Sequence, residues 1–202
     1  MTRTRLSRLT LAPVLALSLA GCGLNSVPTA EEEVNARFAD VQADYQRRSD
    51  LIGNLVETVK AAAAQESAVL IGISEARARA TQTTLSPADL SDPAKVAAFD
   101  AAQAQVGVAV RPLMGPMIQE RYPELKSLQN FSSLQDQLEG TENRIRASRG
   151  DYNTAVQAYN TRIRTFPDAI GAKIFYGAKP KVPFAASAAA QEAPKVDFGN
   201  GS

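Results

Sequence analysis

Histidine and tryptophan are absent from this 202-residue chain, and cysteine occurs once. The missing histidine removes the imidazole base, the Ser-His and Cys-His nucleophile pairs, and His-ligated zinc or di-iron centres. A lone cysteine can form a disulfide only with another molecule, and builds no thiolate metal cage by itself. With five tyrosines and seven phenylalanines, aromatic content is 6%, which suits a slim helical core rather than a broad aromatic one. An excess of one charge sign is also lacking: 22 Lys and Arg stand against 21 Asp and Glu, mixed along the chain. That balance gives no ground for a nucleic-acid partner or for adhesion to an anionic lipid surface. The expectations are therefore no catalytic residue, no metal, no cofactor and a non-enzymatic role.

A long hydrophobic run is missing too. The apolar stretch over residues 9–20, interrupted by Thr10, Pro13 and Ser18, holds about a dozen residues, where a spanning helix needs about 18 or more. Arg3, Arg5 and Arg8 precede it and Leu19-Ala20-Gly21-Cys22 follows. A basic n-region, a short apolar h-region and small residues before a cleavage point describe a secretory signal. The Leu-Ala-Gly-Cys order resembles the bacterial lipobox, in which the cysteine is acylated, with palmitate or similar chains, and begins the mature protein. The competing readings of Cys22 are an uncleaved anchor and an intermolecular disulfide. Two or more acyl chains hold a protein stably on a membrane. Loss of residues 1–21 removes three arginines and no acid, leaving 19 basic against 21 acidic residues, a charge of −2. The expected location is the bacterial cell envelope, facing the periplasm or exterior; Gly23 after the cysteine favours the outer membrane of a Gram-negative cell.

What the chain does contain is helical periodicity. Thr29-Ala30-Glu31-Glu32 has the form of a capping box, and no proline follows until Pro87. Apolar residues recur at alternating spacings of four and three: Val34, Phe38, Val41, Tyr45, then Ile52, Leu55, Val59, Ala62, then Val69, Ile73, Ala76, Ala80. Arg48 and Glu66 fall in the two gaps. A 3.5-residue period over about seven heptads predicts one long helix with a coiled-coil-like seam. Its roughly 50 residues would reach about 75–80 Å.

Ser86 and Asp92, each followed by proline, are N-cap candidates. A second helix is expected from Pro93, with Val96, Phe99, Val106, Val110 and Leu113 inward. Pro112 and Pro116 predict a kink or break within residues 108–117, because an interior proline costs about 3 kcal/mol; Tyr122-Pro123 ends the element. A third helix is expected over residues 130–165, with Phe131, Leu138, Ile145, Tyr152 and Tyr159 in its stripe and Gly140 in its interior. Phe166-Pro167 closes it, and a short fourth helix follows to about Tyr176, stopped by Gly177. Lys179-Pro180-Lys181-Val182-Pro183 and the Ala-rich end lack the periodicity to pack. The expected fold is all-α, an antiparallel bundle of three long helices plus a short fourth. Residues 1–21 are the signal, 22–28 a tether, 29–177 the bundle and 178–202 an extended or disordered, flexible tail.

Several strings then carry a family likeness. Residues 134–145 read LQDQLEGTENRI, followed by Arg149, Asp151-Tyr152-Asn153 and Tyr159-Asn160-Thr161. On the first helix stand Arg47-Arg48, DLIGNLVETVK over residues 50–60 and EARAR over residues 75–79. With Phe166-Pro167 and APKVDF at residues 193–198, the chain resembles the LemA family of bacterial envelope proteins over nearly all of its mature length. The resemblance implies an antiparallel bundle of long helices on the outer side of a bacterial membrane, and implies no reaction. The chain departs from the family pattern at Gly53, where proline is usual, and at Pro112 and Pro116, in a second helix that is usually uninterrupted. Many members keep a transmembrane helix where this chain has Cys22.

Two polar constellations stand out. Asp136, Glu139 and Glu142 lie along one strip of helix. Ion pairing accounts for them, Glu142 with Arg146 and the others with Arg48 or Lys60 across the bundle; a carboxylate di-metal site would require Glu-x-x-His. Asn54, Asn143, Asn153 and Asn160 sit in helix interiors, where asparagine is a mediocre former. They are read as a polar layer fixing register, with Gly140 allowing close helix approach, or alternatively as a groove with Arg48 and Glu139 for a ligand. Finally, a 50-residue helix outruns a second of about 28 by roughly 33 Å. Residues 29–50 would then form a membrane-proximal stalk whose stripe, including Phe38 and Val41, is covered by the C-terminal segment or by another chain. Two functions follow: a lipid-tethered helical scaffold docking an envelope protein or further copies of itself, or a ligand-binding or enzymatic envelope protein using the Asn/Glu/Arg groove.

Overall fold

Hydrophobic periodicity becomes helix throughout a computed structural model that describes residues 25–62, 67–115, 125 and 129–185. No strand forms among the described residues. The elements are α1 (Ser26–Ala62), α2 (Ser67–Gln82), a 3-10 turn (Pro87–Ser91), α3 (Pro93–Met114), α4 (Gln129–Arg162) and α5 (Asp168–Ile174). Cys22, Glu66, Pro116, Tyr122-Pro123 and the 193–198 motif lie outside the described residues.

The expected single first helix is instead a hairpin. The Arg77 side chain reaches Ser49, with Nε 3.4 Å from Oγ. In a continuous helix those residues would stand about 42 Å apart. Gln42 likewise donates to the Leu85 carbonyl at 3.2 Å. The chain therefore reverses between α1 and α2, and the break in the apolar seam at Glu66 marks the place. Gly53 takes the close approach: a Cβ there would lie 3.2 Å from the Arg77 guanidinium. Gly140, expected to allow close packing, faces open space.

Contacts fix the remaining directions. Arg162 donates to the Ser26 carbonyl at 3.1 Å and Arg48 pairs with Glu142 at 3.2 Å, so α4 runs antiparallel to α1. Phe99 meets Phe38 and Tyr45 while Gln103 meets Arg48, so α3 runs parallel to α1. The result is an up-down-up-down bundle of four helices rather than three. At 37 and 34 residues, α1 and α4 span about 55 and 51 Å. Residues 29–50 are not a bare stalk, because Phe99 of α3 packs on Phe38 and Tyr45; the stripe of Val34, Phe38, Val41 and Tyr45 is buried, and the C-terminal segment, one of the two expected covers, reaches it through Phe184.

Local chemistry sets the element ends. Asp92 caps α3, accepting from Ala94 N at 2.9 Å and Lys95 N at 3.3 Å. The Ser86 amide and hydroxyl both donate to the Asp89 carboxylate, at 3.0 and 2.6 Å. Thr29 is not a cap: α1 begins at Ser26 and the Thr29 hydroxyl donates to the Asn25 carbonyl at 2.7 Å. Pro112 is accommodated inside α3, where the carbonyl it leaves without a donor belongs to Val108 on the solvent face. The helix stops at Met114, and Gly115 is extended (φ −92°, ψ 161°), as the residue before a proline should be.

Gly177 takes a left-handed conformation (φ 54°) just past α5, as the expected stop should, and residues 178–185 beyond it form neither helix nor strand, yet they are not a free tail. Lys181 and Phe184 are buried, Phe184 among Phe38, Phe99 and Tyr152. This strap and Leu90 of the 3-10 turn fill the column that α2 is too short to occupy, and Val182 N donates to the Leu90 carbonyl at 2.8 Å.

Spin labels at exposed Gln46 and Thr81, which face the same cleft, should read a separation below about 25 Å by double electron–electron resonance. A distance near 50 Å, as one unbroken helix would give, contradicts the hairpin.

Candidate functional site

The seam of α4 keeps a spacing of three and four through Leu138, Thr141, Ile145, Ser148, Tyr152, Ala155 and Tyr159, all buried. Thr141 and Ser148 are seam positions disguised by small polar side chains. This register explains why two candidates fall outside the core. Glu139 and Asn143 lie off the seam and are exposed, as is Asn54 on α1. The partners that hold Arg48 are Gln103 and Glu142 instead. Asn143 instead bonds Arg146 on its own helix.

Arg48 is the member of that set that enters the interior, at 4% exposure. Its guanidinium donates to the Gln103 carbonyl at 3.0 Å, to Gln103 Oε1 at 2.6 Å and to Glu142 Oε1 at 3.2 Å. It also lies 4.9 Å from the centre of the Tyr45 ring. A buried charge costs several kcal/mol unless paired and hydrogen-bonded, and α3 and α4 supply those partners. Arg48, Gln103 and Glu142 form a polar layer between two apolar clusters, one built on Ile52, Leu55 and Leu138, the other on Phe38, Phe99 and Tyr152. The gap at Arg48 in the apolar seam is therefore a register device, made with Glu142 rather than with Asp136 or Glu139. Beside it opens a cleft of about 220 Å³, lined by Gln42, Gln46, Ser49, Arg77 and Thr81 among others.

A second polar arrangement holds the strap. Asn160 accepts from Lys181 N and donates to Lys181 O, both at 2.8 Å. Asn153 treats Phe184 in the same way, at 2.8 and 3.0 Å. Tyr152 donates to the Val182 carbonyl at 2.9 Å, and Arg149 to the Ala185 carbonyl at 2.9 Å. The geometry is a match of two rises. Seven helical residues advance about 10.5 Å and three extended residues about 9–10 Å, so one heptad of α4 meets every third strap residue. Pro180 and Pro183 stand directly before the two residues so read. Each biases its predecessor toward extended backbone, and neither has an amide to satisfy. Asn153 and Asn160 thus hold a strap and not a register between helices. The signal was present as the dipeptide Tyr-Asn repeated at seven residues, Tyr152-Asn153 and Tyr159-Asn160, with prolines three apart downstream.

Arg149 joins the parts. It contacts Asp100 of α3 at 2.5 Å and the Tyr45 hydroxyl of α1 at 3.1 Å, and lies over the Phe184 ring at 4.8 Å. Lys181, also buried, reaches Glu31 at 2.8 Å. Phe38 and Val41, expected as an interaction stripe, are covered from within the chain and are core. No helix among the described residues is long and apolar enough to cross a membrane.

Two predictions follow from this geometry. Phe184→Ala should destabilise the bundle by about 3–5 kcal/mol. Asn153→Ala, which strands the Phe184 amide and carbonyl, should cost about 1–3 kcal/mol. Denaturant unfolding checks both, and unchanged midpoints would show the strap detached. The pH profile follows from the phenols: burial raises Tyr45 and Tyr152 above the ordinary tyrosine value and lifts Tyr159 to about 12. The folded state then holds these protons more tightly than the unfolded chain, whose tyrosines titrate at about 10. Stability is fully present below about pH 10 and is lost as pH rises toward 12. With no histidine in the chain, the melting temperature should stay level from pH 6 to 8. A transition in that neutral window would contradict the assignment.

Magnetosome proteins MamQ 1 and MamQ 2 of Paramagnetospirillum magneticum (strain ATCC 700264 / AMB-1) are each 27% identical to this chain over 159 residues. Each alignment covers 71% of this chain and 58% of the relative, so the chain spans less than two thirds of their length. The sequence profile of the LemA family matches residues 37–198, from the second third of α1 through the strap. The chain belongs to the LemA family.

Proposed function

We propose that this LemA-family protein is a lipoprotein of the bacterial cell envelope, tethered through acylated Cys22 and acting as a helical scaffold for another envelope protein or for further copies of itself. The observation that carries the reading is the position of Ser26. It begins α1 at one end of a rod about 55 Å long, and Arg162 fastens it there to the end of α4. Three residues lie between Cys22 and Ser26, so four Cα–Cα steps join them, at most about 14 Å of chain. An acylated Cys22 would hold that end of the rod against the bilayer and project the α1–α2 and α3–α4 connections away from it. A rigid spacer of this kind positions partners and carries no catalytic step.

Cys22→Ser should abolish palmitate incorporation and release the protein from the membrane fraction or stall its processing. Unaltered fractionation and mobility of that variant contradict the tether. Photo-crosslinkers placed at the distal connections, in native membranes, should capture a second protein or a second copy. Recovery of uncrosslinked monomer alone contradicts the scaffold.

A further inference from the structure

The short helix α5 is built inside out. Its small residues Gly171 and Ala172 face the bundle, while Ile170 and Ile174 stand 52% and 70% exposed. Phe166, Phe175 and Tyr176 flank them at 83%, 66% and 44%. Five of the seven exposed large apolar side chains among the described residues thus lie in one eleven-residue stretch. Scattered apolar exposure is ordinary; a contiguous patch marks a surface that water does not cover in the working state.

We propose that this patch docks on the surface of an anionic phospholipid bilayer, seating the end of the bundle in the interface. Two further observations select lipid as the occupant. The first is placement: α5 packs against α1 near its start, and Ala172 belongs to the same apolar cluster as Val27. The patch therefore sits at the end from which Cys22 is at most about 14 Å of chain away. The second is local charge. Residues 162–179 contain Arg162, Arg164, Lys173 and Lys179 against Asp168 alone, a net of +3 in a chain whose total is +1. Asp168 is itself engaged by Arg162, at 3.8 Å, and the nearby Glu31 by Lys181. Exposed Arg164, Lys173 and Lys179 rim large apolar side chains, the composition of an interfacial membrane helix. Whole-chain neutrality concealed this concentration. The inference uses the tether proposed above for placement, but the patch and its charge stand without it.

The absence of tryptophan supplies the test. Full-length Phe175→Trp protein is purified from membranes and reconstituted in vesicles of phosphatidylcholine and phosphatidylglycerol carrying brominated acyl chains. Mass spectrometry of the same sample reads whether Cys22 is acylated. Docking predicts a blue-shifted indole quenched by the bromines, more weakly without phosphatidylglycerol. Adding Ile170→Ser and Ile174→Ser should weaken the quenching at least several-fold with helicity unchanged. Quenching without acylation keeps the docking and sinks the tether. Acylation with an unquenched indole does the reverse, and overturns the docking. An indole that turns blue only as protein per vesicle rises, without quenching, assigns the patch to a second copy and also overturns it.

Discussion

Much of this fold depends on one commensurability, the match between a heptad of α4 and three residues of extended strap. Asn153 and Asn160 meet it with paired hydrogen bonds to Phe184 and Lys181. An extended segment outside a sheet normally leaves its amides and carbonyls to water, and burying them unpaired would cost more than the burial of Phe184 returns. Here side chains replace the missing strand. Lys181, Val182, Phe184 and Ala185 all find partners on α4 or the 3-10 turn, and Pro183 has no amide to place. The core beneath can therefore close even though α2 is only 16 residues long.

Closure at that end changes the mechanical character of the bundle. Arg149 links α1, α3, α4 and the strap, and the Arg48 layer holds the two apolar clusters in one register. A sliding helix would have to bury an unpaired guanidinium, which is far costlier than exchanging one aliphatic contact for another. The rod is stiff because its polar interior allows one alignment. Stiffness is what the proposed spacer would need, and it gives the Ser26 end and the far ends of α1 and α3 a fixed separation.

Much of this was legible in the sequence. Apolar periodicity placed α4 to within a few residues at both ends and put α1 and α2 inside one helix that the structure divides, and the Ser86 and Asp92 starts fell where proline and capping chemistry put them. The hairpin was hidden because alanine-rich residues 61–64 carry no turn signal and the seam resumes beyond them in compatible register; the break at Glu66 was its trace. The strap was hidden for a different reason. Periodicity reports elements that pack by their own repeat, whereas residues 177–185 pack by the repeat of another element. Asparagine in a helix was correctly read as unusual, but its partner was an extended segment rather than a facing helix. The inverted face of α5 was not legible, since seven residues are too few for a stripe to declare which side is buried.

Amide hydrogen exchange at Lys181 and Phe184 tests the central claim most directly. The account predicts protection of both amides at the level of the α4 amides around Asn153 and Asn160, because opening the strap uncovers the core beneath it. Exchange at the rate of a free peptide, while α4 stays protected, would mean that the strap is not part of the fold, and would contradict it.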